Sequence, residues 1–239
     1  MEKLIPNQSY HIFNHANGFE NIFIEDENYR FYLEKYQEYI SPIAETYAYC
    51  LMPNHFHVVV RIRKREQIIE IIQTKTNFAT TNFSDTDNFS KVSFDFGKVA
   101  EVNKVEVSDE DIEKFLSKQF SNMFSSYTQS FNRMYKRRGS LFIKNFKREI
   151  ILDKEYFLNA IVYTHRNPIH HGFCSRYSDW SYTSYCEIKA QKSEIVEVDK
   201  LLKVFGGKEY FVEVHQQNLD KLNQIIEYEV PTIETLEKS

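Results

Sequence analysis

The stretch CLMPNHFHVVVRI, Cys50 to Ile62, decides the fold. It sets a tight turn, Pro53-Asn54, between two runs of strand-forming residues and places two histidines at the start of the second run. Side chains alternate faces along a strand, so His55 and His57 leave the sheet on one side and Phe56 on the other. That is the geometry of a paired ligand beside a hairpin turn. Two surface or hydrogen-bonded core histidines would show the same spacing, so the reading depends on what else the chain brings to that face.

Outward from the hairpin, the sequence supplies the rest of an antiparallel sheet. Ser9 to Asn14 (SYHIFN) reads as a first strand and HANGFEN as the loop after it. From Glu27 to Ile40, Phe31, Leu33, Tyr36 and Ile40 recur at mostly helical spacing and predict a helix. AETYAYCLM is the strand entering the hairpin, and REQIIEIIQT after it is a short amphipathic helix. Asn77 to Val107, rich in Asn, Thr, Ser and Asp with scattered phenylalanines, reads as a long loop or an insertion. A long helix from Asp109 is closed by a basic turn at Gly139. SLFIKNFKREIIL is a further strand, and DKEYFLNAIVYTHRNP is a helix with Asp153 as its N-cap, ended near Asn167 by Pro168. This order predicts an α+β, ferredoxin-like fold: an antiparallel sheet with helices on one face and an extra C-terminal helix that bears Tyr163. Residues 1–186 form that domain, with an insertion at about 77–107, and 187–239 read as a C-terminal helical appendage.

Composition bounds the function. With 42% hydrophobic and 27% charged residues, the 239-residue chain can bury a proper core and lies far from disordered composition. Cys50, Cys174 and Cys186 show neither Cys-x-x-Cys spacing nor an even set, so the expectation is a reducing, cytoplasmic setting without disulfides. No segment has signal-peptide character or the ~20 apolar residues of a membrane span, so no membrane association is expected. A net charge of −4 argues against a nucleic-acid partner, but the average hides an asymmetry. Arg133, Lys136, Arg137, Arg138, Lys144, Lys147 and Arg148 follow one another without an acidic residue, whereas the tail beyond Cys186 is acid-rich. The basic run is either a solvated turn or a phosphate-binding patch.

The Tyr163 helix brings the company the histidines need. Tyr163 and Asn167 are four residues apart and so lie on one helix face. Turned toward His55 and His57, that face would complete a set of two imidazoles, an amide oxygen and a phenol. Such a set suits Mg2+ or Mn2+ with open positions for phosphate oxygens, and a phenol able to attack phosphorus. Tyr163 also shares a stripe with Tyr156 and Ala160, a spacing that on its own suits a core aromatic. His165, His170 and His171 read as ordinary loop histidines rather than a second metal site, and His11 and His15 as structural or DNA-facing. Trp180 and Tyr182 are expected to pin the chain after the Tyr163 helix to the core.

The blocks YHIFNHANGFENIF, YCLMPNHFHVVV, YTQSFNRMYKRRGSLFIKNFKRE and YFLNAIVYTHRNPIHHGF with DWSYTSY resemble the successive blocks of the single-tyrosine HUH transposases, REP-associated tyrosine transposase branch. The resemblance covers roughly Ser9 to Tyr185. It implies His55 and His57 as the metal-binding pair, Asn167 as third ligand and Tyr163 as nucleophile. It also implies single-stranded DNA beside a hairpin as substrate, a 5′-phosphotyrosine intermediate, strand transfer without ATP, and phosphate contacts from the basic run. A homodimer is open, because in some relatives the tyrosine helix of one subunit completes the site of the other. The sequence departs from the pattern at Thr164, His165, His170 and His171, in the length of the insertion and in its acidic charge. The rival reading is a domesticated, non-cutting nucleic-acid-binding protein of the same fold, and a third is a phosphoesterase in which water attacks and Tyr163 is structural.

Overall fold

The computed structural model describes residues 2–81 and 106–217. Most of the predicted insertion and the far C-terminal tail lie outside the described residues. The first half builds β1 (Ser9–His15), α1 (Asp26–Tyr39), β2 (Ala44–Met52), β3 (His55–Ile62) and α2 (Arg65–Thr81). The second half builds α3 (Asp109–Met134), β4 (Lys147–Ile151), α4 (Lys154–His170), α5 (Tyr185–Lys189), α6 (Val198–Phe205) and α7 (Lys208–Gln216). The strands form one antiparallel sheet in the order β2-β3-β1-β4. With α1 crossing from β1 to β2 and α3 from β3 to β4, this is the ferredoxin-like α+β arrangement, extended by α4.

Alternation along the strands divides the sheet into two faces. Phe56, Val58 and Val60 pair with Asn14, Ile12 and Tyr10 and point toward α1 and α3, where the Phe56 ring meets Tyr32 at 5.4 Å and Phe124 at 5.7 Å. The Ser108 hydroxyl caps α3 by accepting from the Asp111 N–H, and the Asp111 carboxylate accepts from the Ser108 N–H. The opposite face carries His11, Phe13 and His15 of β1 with His55, His57 and Val59 of β3, and α4 lies across it. A bulge between Thr46 and Ala48 turns Tyr47 onto this second face, where its ring meets Phe157 of α4 at 5.1 Å.

Three boundaries differ from the sequence expectation. The strand predicted over Ser140–Leu152 is confined to Lys147–Ile151, because Asn145 adopts a left-handed φ of 68° that ends the extended run. Pro168 does not end α4 near Asn167; the helix continues to His170. A proline in the last turn forgoes one bond to the carbonyl four residues back, and the turn is still closed by His171 N–H to Asn167 O and Phe173 N–H to Pro168 O. Finally, α2 runs on to Thr81, into the segment read as loop or insertion. Among the described residues no helix is long and apolar enough to cross a membrane, and the three cysteines are unpaired.

The chain after α4 covers the outer edge of β2, which would otherwise offer unpaired backbone groups. Leu51 N–H donates to Tyr182 O, Ser184 N–H to Tyr49 O and Glu197 N–H to Thr46 O. Trp180 Nε1 donates to Leu51 O at 3.0 Å, and the Tyr182 ring stacks on Tyr29 at 3.5 Å.

His165 is buried within α4 rather than placed in a loop, and it ties α4 to α7 through a chain with only one self-consistent proton order. The Phe211 carbonyl can only accept, so His215 Nδ1–H donates to it at 2.7 Å and His215 Nε2 must accept. His165 Nδ1–H then donates to His215 Nε2 at 2.9 Å, and His165 Nε2 accepts from the Ser184 hydroxyl at 2.8 Å. Both rings are neutral, because burial lowers His215 from 6.5 to about 4 and His165 further. The unfolded chain therefore takes up protons near pH 6.5 that the native chain refuses. Stability is complete above that value and falls as pH drops toward 4, by up to about 1.4 kcal/mol per pH unit for each such histidine. Urea midpoints measured from pH 7.5 to 4 should show this decline, with a slope shallower by about one proton in His215→Asn. A midpoint unchanged down to pH 4.5 would contradict it.

Candidate metal and nucleophile site

Strand register assembles the site. His15 stands directly opposite His55 and Phe13 opposite His57, so β1 and β3 deliver four imidazoles to one face. Above them, Tyr163, Asn167 and His171 recur at intervals of four along α4 and its C-cap, on one face. Asn167 Oδ1 lies 2.7 Å from His55 Nε2, and Asn167 Nδ2 donates to the Tyr163 hydroxyl at 3.2 Å. The Tyr163 ring meets His57 edge-on, with centroids 5.5 Å apart, and His55 and His57 stand perpendicular to each other at 5.3 Å. The structure thus brings together all four residues singled out for the chemistry. His55, His57, Tyr163 and Asn167 are each 3% exposed or less.

Burial sets their protonation. Desolvation lowers His55 from 6.5 to about 3, against a smaller upward pull from its contact with Asn167, and lowers His57 well below its ordinary value; neighbouring imidazoles push both further down. At neutral pH both are uncharged and carry a lone pair, which is the state that binds a cation.

The surroundings of His55 fit such a cation. Its Nδ1 lies 2.7 Å from Asn54 Oδ1 and its Nε2 lies 2.7 Å from Asn167 Oδ1, yet a neutral imidazole has only one N–H to give. With Nδ1–H donating to Asn54, Nε2 and the Asn167 oxygen remain as two lone-pair donors converging on one point. Adjacent ligands of an octahedral Mg2+ are about 3 Å apart, given metal–oxygen distances of about 2.1 Å. Among the described residues no group of three or more His, Cys, Asp or Glu side chains has metal-holding geometry, so a cation here would depend on the asparagine oxygen and on substrate.

Three histidines stand beside the pair: His11 and His15, read from the sequence as structural or DNA-facing, and His171, read as a loop histidine. His11 Nε2 lies 3.0 Å from His57 Nδ1; His15 stacks on His55 at 4.7 Å; His171 meets His55 at 5.0 Å. The signal was present in SYHIFNH, where His11, Phe13 and His15 alternate onto one strand face, but its use requires the β1–β3 register. His15 and His171 are more open to solvent than the buried four, and Lys147, exposed on the same sheet face, bears electrostatically on His15. These three mark the rim.

The basic run divides on folding. Arg137 is committed to the turn after α3: it pairs with Glu20 and donates to Asn132 Oδ1, Gly139 O and Ser140 O. Arg148 points from the other sheet face, donating to Ser117 Oγ at 3.1 Å with its guanidinium over the Phe146 ring. Arg133, Lys136, Arg138, Lys144 and Lys147 are exposed.

No protein-family model matches the chain, and no curated protein matches it. A solved structure of a REP-associated tyrosine transposase bound to a REP hairpin is similar at a TM-score of 0.48 and 13% identity, over 83% of this chain and 88% of the other. The ferredoxin-like assignment stands on the strand order and pairing of the chain itself.

Proposed function

We propose that the protein is a metal-dependent tyrosine transposase or endonuclease that cuts and rejoins single-stranded DNA near a hairpin through a 5′-phosphotyrosine intermediate. The observation that carries this reading is the buried run of polar contacts from His55 Nε2 through the Asn167 amide to the Tyr163 hydroxyl, with the His57 ring beside the tyrosine. A Mg2+ or Mn2+ held by His55, His57 and Asn167 would supply Lewis-acid polarisation of the phosphodiester. Tyr163 attacks phosphorus through its oxygen and the bond to the 3′-oxygen breaks; the phenol gives its proton to water, and the departing 3′-oxygen takes one from water to become a 3′-hydroxyl. The Asn167 N–H, already donating to that oxygen, stabilises the negative charge that develops on it before attack. Because Tyr163 is 3% exposed, DNA reaches it only after the rim near His171 opens or the helix shifts.

Cleavage of end-labelled single strands carrying a hairpin, taken from the DNA flanking the gene, tests the reading. Cutting in Mn2+ that stops with a chelator is the expected result, and cutting that continues in chelator removes the metal from the account.

The exposed cations are the phosphate contacts in this reading, with Lys147 nearest the histidines. Lys147→Ala should weaken single-strand binding and reduce the slope of log affinity against log salt by about 0.7. Arg137→Ala should leave that slope unchanged and cost about 0.5–1.5 kcal/mol of stability, because the turn after α3 loses the hydrogen bonds that tie Gly139 and Ser140 to Asn132 through this guanidinium. Salt titrations of the two variants by fluorescence anisotropy separate the roles.

A further inference from the structure

We propose that His11 is a positioning residue that holds His57 as its Nδ1–H tautomer, so that Nε2 is the nitrogen His57 offers a cation. Its consequence rests on the metal reading above, whereas its geometry does not. His11 Nε2 and His57 Nδ1 lie 3.0 Å apart, and the residues are 4% and 1% exposed. Burial favours the uncharged form of both rings, and two neutral rings share a single hydrogen across this contact.

That hydrogen has two places. If His11 Nε2–H donates, the hydrogen of His57 itself lies on Nε2, and both His57 nitrogens are closed to a cation. If His57 Nδ1–H donates, Nε2 carries the lone pair. A cation meets His57 only in the second state, so the ability of His11 to accept contributes directly to metal affinity, as outer-sphere partners of ligating histidines do.

The placement explains why a histidine stands at this buried strand position. An apolar residue would leave the His57 Nδ1–H without this acceptor, and a carboxylate would add a buried charge to the face. A neutral imidazole accepts without either cost. The His11 ring also packs between its neighbours, 5.1 Å from both His57 and Phe13 and 5.8 Å, edge-on, from Tyr163. It therefore orients the His57 ring while bracing the tyrosine.

The test is a long-range 1H–15N correlation spectrum of the metal-free protein labelled at histidine, joined to Mn2+ titrations of wild type, His11→Phe and His11→Gln. The expected spectrum shows His57 protonated at Nδ1. His11→Phe keeps the ring packing but removes the acceptor, and should bind Mn2+ about 10–100-fold more weakly. His11→Gln, whose Oε1 can accept, should stay within about three-fold of wild type while His11→Phe does not. A His57 protonated at Nε2 in wild type overturns the proposal, as does Mn2+ binding by folded His11→Phe that equals wild type. If wild type itself binds no Mn2+, the metal reading fails and the tautomer spectrum still decides what His11 does to His57. Should His11→Phe not fold, the wild-type spectrum and His11→Gln decide.

Discussion

Tyr163→Phe should leave no covalent link between protein and single-stranded DNA and lower strand cleavage by roughly a thousand-fold or more, since the nucleophilic oxygen is lost. DNA affinity should stay near wild type, because the exposed lysines and arginines are untouched. Stability should fall only slightly: Asn167 Nδ2 loses its acceptor inside the protein, which costs about 1 kcal/mol. The packing of Tyr163 on His57 and His11 is made by the ring and survives in phenylalanine. The variant thus separates a catalytic tyrosine from a core aromatic, the two roles that the Tyr156, Ala160 and Tyr163 stripe leaves open. Cleavage at the wild-type rate would assign Tyr163 to the core and move the chemistry to water or another residue.

His57→Ala should reduce Mn2+ affinity by at least about a hundred-fold and cleavage with it, a larger loss than removal of a mere outer-sphere partner. It should also destabilise the fold by about 2–5 kcal/mol, since a buried ring is deleted and the His11 Nε2 loses its partner. Isothermal calorimetry on protein that circular dichroism shows to be folded distinguishes lost ligation from lost structure. Unchanged Mn2+ affinity in folded His57→Ala would take this histidine out of the site.

Much of this arrangement is legible in local patterns. The period of two in His55-Phe56-His57 puts the imidazoles on one face, and the turn at Pro53-Asn54 fixes them at the start of β3. The interval of four between Tyr163 and Asn167 puts phenol and amide on one side of α4. Asp153 caps that helix as its chemistry demands, accepting from the Tyr156 N–H at 2.7 Å.

What local patterns do not carry is register and tertiary partnering. The facing of His15 and His55, and the diagonal contact of His11 with His57, depend on how β1 slides against β3. A one-residue slip would turn His11 and His15 to the other face. The basic run shows the same limit: charge is visible in sequence, but Arg137 meets Glu20, 117 residues away, and Arg148 reaches across to α3. Pro168 misleads for a different reason. The rule that a helix stops before proline weighs a missing N–H, while the last turn of α4 retains enough other bonds to continue. Continuation keeps Asn167 helical and brings His171 beside His55.

Tyr163 is expected to become covalently joined to the 5′-phosphate of a cut strand. The most direct test is to incubate the protein with hairpin-bearing single-stranded DNA and Mn2+, digest with nuclease and trypsin, and locate the nucleotide-bearing residue by tandem mass spectrometry. The expected result is a phosphonucleotide on Tyr163 and none when chelator replaces Mn2+. DNA that is cut while Tyr163 remains unmodified, or an adduct on a different tyrosine, would contradict it.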